Sequence, residues 1–72
     1  MKVRILIMPK EGLLDPQGRA VEELLTSKGY KVKGIKVGKV IEMEVNEYED
    51  AEDMARRFLV NPLIETFKVE RL

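Results

Sequence analysis

The sequence predicts an α+β domain in βαββαβ order: a four-stranded antiparallel sheet with two helices on one face. Three observations carry this. Four stretches alternate with a period of two, near residues 2–8, 30–37, 40–45 and 64–72. Two stretches between them, 16–28 and about 51–59, repeat apolar residues with helical spacing. Pro9, Gly29, Gly38 and Pro62 punctuate the joins. At 72 residues the chain makes a single domain, 1–72.

The first strand, Lys2 to Met8, alternates Val3, Ile5 and Ile7 with Arg4, Leu6 and Met8. Both faces carry apolar side chains, so it is expected to be central and covered on both sides. Pro9 has no N–H for a ladder and ends it. Lys10 to Leu14 is a loop pivoting on Gly12, with Leu13 and Leu14 expected to fold over the next helix as a staple.

That helix opens at Leu14-Asp15-Pro16-Gln17-Gly18. Asp15 is placed to cap the free N–H groups of the first turn. Pro16 fits the first helical position, where its missing N–H costs nothing. Gly18 is a poor helix former, and its presence points to close approach of a second backbone. Ala20, Val21, Leu24 and Leu25 form the apolar face, and Gly29 stops the helix at C′.

Tyr30 to Val37 reads as the second strand. Tyr30 and Val32 share one phase and Ile35 and Val37 the other, with a β-bulge expected at Gly34. Gly38-Lys39 is a tight turn into Val40–Val45, whose Ile41, Met43 and Val45 face inward and Glu42 and Glu44 outward. Lys33 and Lys36 are placed to oppose those glutamates across the hairpin. Ala51, Met54, Ala55, Phe58 and Leu59 form the inner face of the second helix, Phe58 and Met54 being assigned to the core. Tyr48 precedes it as a surface anchor or a staple. Asn61-Pro62 stops the helix, since residues before proline avoid helical backbone. Ile64 to Leu72 is the last strand. The order is the split-βαβ or ferredoxin-like pattern. Leu6, Met8 and Val40 remain on the uncovered sheet face, an interaction surface by default.

Composition excludes much. With no Cys and no His, there is no Cys–His or Ser–His pair, no thiolate or imidazole metal site and no disulfide. Glu42 and Glu44 share a strand face, but an acid–base pair needs a desolvated cleft. Thirteen basic residues cancel thirteen acidic ones, against nucleic-acid binding. The inner strands also lack aromatics for base stacking. Gly34–Lys39 resembles a phosphate loop, but it is one residue short and precedes a strand. Asp15 would repel an anion at the first helix start. The longest apolar run, Ile5 to Met8, cannot span a bilayer, and Lys2 and Arg4 break any signal-peptide pattern. The expectation is a soluble cytoplasmic protein. A chain this short buries only about 60–65% of its unfolded surface. With the usual staples missing, oligomerisation is the expected source of further stability.

The ordered set Leu14–Val21, Gly29-Tyr30, Val37-Gly38-Lys39 and Asn61-Pro62-Leu63-Ile64-Glu65 resembles the PurS family. Its members are small accessory subunits of phosphoribosylformylglycinamidine (FGAM) synthase. The resemblance spans essentially the whole chain; Val60 stands where a smaller residue is expected. It implies a PurS-like fold and a non-catalytic subunit of the FGAM synthase complex in purine biosynthesis, forming dimers or tetramers through its sheets. It also implies that the chain bridges the glutaminase subunit PurQ and the ATP-dependent synthetase subunit PurL, so that ammonia passes between them. No cofactor is expected on this chain, ATP and Mg being expected in the synthetase. Asp15, Pro16, Gln17 and Gly18 are then candidates for one docking surface, with Gly18 admitting a partner backbone and Gln17 offering donor and acceptor. Gly38, Lys39, Asn61, Pro62 and Glu65 are candidates for others. The alternative from another class is an ACT-like regulatory domain binding a metabolite at a dimer interface. A small-molecule isomerase is a third option, disfavoured by the side chains available.

Overall fold

The computed structural model describes residues 1–13 and 15–72, so the staple expected of Leu14 lies outside the described residues. The order is β1 (Lys2–Pro9), α1 (Pro16–Ser27), β2 (Lys39–Glu44), α2 (Tyr48–Met54) continuing as a π-helical turn (Ala55–Leu59), and β3 (Glu65–Arg71). The class is α+β and ferredoxin-like. The sheet is antiparallel in the order β2-β1-β3, with Ile5 opposite both Ile41 and Val69.

Strand β1 is central, as its two apolar phases suggest. Val3, Ile5 and Ile7 are fully buried and meet Ala51 and Ala55, the core's other buried members. Only this face is covered, however. On the other, Arg4 and Leu6 are half-buried and Met8 and Val40 are exposed, because no helix lies over them. Helix α2 packs over β1 and β3, and Tyr48 fastens its start by donating to the Val69 carbonyl at 3.1 Å. The Arg71 guanidinium lies 5.0 Å from the Tyr48 ring centroid, so Tyr48 is an anchor to β3.

Two expectations fail on α2. Phe58 is 74% exposed, not core, and Met54 is only half-buried. The Val60 N–H reaches back five residues to the Ala55 carbonyl, so the last turn is wider than an α turn. That widening shifts the inward stripe from position 58 to 59 and 60, and Leu59 and Val60 pack against the core.

The larger departure is residues 30–38, which form no strand. Two of their backbone groups meet the start of α1 instead. The Asp15 carboxylate accepts the Val37 N–H at 2.9 Å, and the Ile35 carbonyl packs directly on Gly18. Gly34 has φ +65° in an unpaired segment, so it is a kink and not a bulge. Lys33 opposes no glutamate, Lys36 pairs with Glu11, and Glu42 pairs with Arg4 at 3.0 Å. Helix α1 therefore does not sit on the sheet beside α2. It and the segment after it form an arm, with no substantial α1–sheet contact among the described residues. Its C-terminus closes as expected: Tyr30 N–H bonds to Leu25 O and Gly29 N–H to Thr26 O, with Gly29 at φ +95°.

Candidate functional site

The first turn of α1 is built around Asp15. One carboxylate oxygen caps the helix through the Gly18 N–H at 3.1 Å, and the other takes the Val37 N–H. The Val37 and Gly18 donors hold the Asp15 carboxyl below the usual carboxylate range. Partial desolvation opposes them, and the Gln17 N–H and the Lys36 charge assist. A Cβ at Gly18 would overlap the Ile35 carbonyl oxygen and lie 2.6 Å from an Asp15 carboxylate oxygen. The backbone that Gly18 admits in the single chain is the chain's own, at Ile35. Pro16 is exposed at the first helical position.

Gly38 makes the second backbone contact: a Cβ there would overlap the Ile7 carbonyl and the Met8 sulfur. The chain thus turns tightly against β1, and the next residue, Lys39, starts β2. Beside it lies the turn after α2. Asn61 accepts the Leu63 N–H on its side-chain oxygen at 3.1 Å. Its own N–H is taken by the Glu65 carboxylate at 2.8 Å. The other Glu65 oxygen lies 3.8 Å from Lys39 Nζ, and Lys10 N–H bonds to the Ile64 carbonyl.

These pieces enclose a cleft of about 550 Å³. Ile7, Pro9, Leu13, Val37 and Ile64 supply its apolar wall. Gln17, Gly38, Lys39 and Glu65 supply the rest, so four of the residues singled out from sequence converge on one site. Asp15 and Gly18 build its rim through Val37 and Ile35. Pro62 opens onto a separate shallow depression that includes Glu65, Lys10 and Arg56. The apolar wall was not legible as a site, since those residues read as strand ends and loop. Leu13, too apolar for a free loop, was the one signal. Among the described residues no group of three acidic side chains is placed to hold a metal ion, and no helix is long and apolar enough to cross a membrane.

The PurS family model, described as phosphoribosylformylglycinamidine (FGAM) synthase, matches residues 2–72. The chain belongs to the PurS family. It is 32% identical over 75 residues to the PurS subunit of the Bacillus subtilis synthase, covering 96% of this chain and 89% of that one. The Archaeoglobus fulgidus PurS subunit is 35% identical over 72 residues, covering 90% of each. Among solved structures, the purS subunit from Thermotoga maritima superposes with a TM-score of 0.89 at 32% identity, covering 99% of this chain and 90% of that one. A displaced arm would not leave a score that high. A chain of the structure described as PurLQS from the same organism matches with a TM-score of 0.84 at 32% identity, covering 99% and 95%. In this PurS chain, three of the four motifs that carried the resemblance contribute to the cleft: Gln17, Val37-Gly38-Lys39 and Ile64-Glu65.

Proposed function

We propose that this chain is the small structural subunit of an FGAM synthase in purine biosynthesis. It binds copies of itself, a PurQ-type glutaminase and a PurL-type synthetase, and works in the cytoplasm. Its role is to hold the two larger subunits so that ammonia released at one reaches the other. The observation that carries this reading is the family match over residues 2–72, and the solved PurLQS structure, which holds a similar chain, supports it. The site chemistry agrees. The cleft joins an apolar wall to a few polar groups, as a docking surface requires, and Lys39 in its wall already faces Glu65. This chain holds no cofactor in this reading, ATP and Mg belonging to the synthetase.

Reconstitution of the two large subunits with and without this chain tests it. Glutamine-dependent turnover is expected to need the chain, while ammonia-dependent turnover is not. Glutamine-driven activity indifferent to the chain would sink the bridging role. One observation favours the metabolite-binding alternative: the cleft volume lies within the range of small-ligand pockets, roughly 300–1,000 Å³. Retention of a purine-pathway metabolite by the isolated chain would revive that reading.

A further inference from the structure

Among the described residues, the two most exposed large apolar side chains lie close in sequence, where α2 gives way to β3: Phe58 at 74% and Leu63 at 81%. Neither packs against the core, so the isolated fold does not account for them. The backbone beneath Leu63 is nonetheless tightly held. The Asn61 side chain accepts the Leu63 N–H, and the Asn61 carbonyl accepts the Ile64 and Glu65 N–H groups at 3.1 and 2.8 Å. The Glu65 carboxylate accepts the Asn61 N–H, and the Lys10 N–H ties the turn to the end of β1 through the Ile64 carbonyl. Five hydrogen bonds thus fix a turn that holds a leucine out to solvent. Phe58 is steadied too: the Arg57 guanidinium lies 5.4 Å from its ring centroid and reaches Asp53 at 3.4 Å. Side chains on a backbone already fixed lose less freedom on binding, so these two are made as anchors.

Charge says what they fit. Beside the turn, Lys10, Arg56, Val60, Pro62 and Phe67 line the shallow depression. Among the described residues no carboxylate pairs with Lys10 or Arg56, and Glu65 in the same lining is engaged by Asn61 and Lys39. An apolar knob beside two unpaired cations is complementary to an apolar pocket rimmed by carboxylates. This chain's own hollows do not match that description. The cleft has one carboxylate, which faces Lys39, and the depression is itself cationic. The acidic hollow on α1, at Glu22, Glu23, Thr26 and Ser27, has no apolar residue in its wall. The occupant is therefore a different protein and not a second copy.

We infer that this corner seats in a carboxylate-rimmed apolar pocket on one of the two larger subunits, with Leu63 and Phe58 as anchors and Lys10 and Arg56 as the flanking charges. The corner is distinct from the cleft, and its role rests on the bridging reading above.

The experiment titrates the full chain and its variants against the synthetase and the glutaminase, separately and together, at several salt concentrations. Leu63→Ser and Phe58→Ser are each expected to weaken binding to one larger subunit about tenfold or more with Tm unchanged, since both side chains are exposed in the isolated chain. Lys10→Glu with Arg56→Glu is expected to weaken it as well and to flatten its salt dependence. Leu72→Ser, exposed at the far end of β3, is expected to change nothing. Variants that bind both larger subunits as tightly as the unsubstituted chain would overturn the corner alone. So would equal weakening by Leu72→Ser, or a change confined to self-association in native mass spectrometry. An unsubstituted chain that binds neither larger subunit would overturn the bridging reading and the corner with it.

Discussion

The carboxylate of Asp15 holds the backbone N–H of Val37 at 2.9 Å, across 22 residues of sequence. The same side chain caps α1, so one residue fixes both the start of the helix and the return of the chain to β2.

Because the folded-state carboxyl of Asp15 is depressed, the folded form binds its proton less readily than the unfolded form does. Its contribution is present above the unfolded carboxylate value, about 3.9, and is lost as pH falls through the lower folded value. Asp15→Asn is expected to flatten the acid limb of a stability–pH curve below about pH 4. An unchanged acid limb would show that the clasp does not titrate with folding.

Gly18→Ala is expected to destabilise by about 1–3 kcal/mol, since the new methyl meets backbone that cannot rotate away. In a domain this small that lowers Tm by roughly 4–8 °C per kcal/mol. Thermal melting decides it: an unshifted Tm with lost complex formation would return Gly18 to a partner contact.

Ile5→Ala removes a fully buried side chain from the centre of the core and should cost about 2–5 kcal/mol. Phe58→Ser, at a side chain 74% exposed, should stay within about 0.5 kcal/mol. Urea titrations of the two variants measure the contrast. Equal losses would mean that Phe58 is covered in the assembled protein.

Tyr48→Phe deletes only the hydroxyl that donates to Val69 and should cost about 0.5–1.5 kcal/mol while leaving the ring under Arg71. Circular dichroism during denaturation reads it. A loss near that of Ile5→Ala would point to a larger disturbance of α2.

Glu65→Gln keeps an acceptor for the Asn61 N–H but removes the charge facing Lys39. Lys39 is largely exposed, so a loss of under about 1 kcal/mol, shrinking with added salt, is expected. Salt-independent destabilisation would place the effect in the Asn61 turn instead.

Much of this was readable from residue order because the deciding forces are local. Asp15, Pro16 and Gly29 set the ends of α1 through capping and φ alone, and period two alone marks Val3, Ile5 and Ile7 as one face. Residues 30–37 misled because alternation reports that a segment suits a sheet, not which strand it meets. The N–H of Val37 was claimed by Asp15, a contact with no sequence signature. Phe58 misled through phase, as a turn closed by a bond spanning five residues instead of four breaks a count that assumes α-helical spacing. At the candidate site, the sequence assigned Gln17 to a different surface from Gly38, Lys39 and Glu65, yet all four line one cleft, whose wall joins Ile7 and Pro9 of β1 to the distant Ile64.

The wide turn after α2 bears on chain length. The bond from Val60 to Ala55 spans one residue more than an α-helical bond. A chain lacking one residue between them closes the same pair of backbone groups as an ordinary helical turn, with Asn61 and β3 still following. Deleting one residue between Ala55 and Val60 is thus expected to leave the register of Ile5 against Val69 in place.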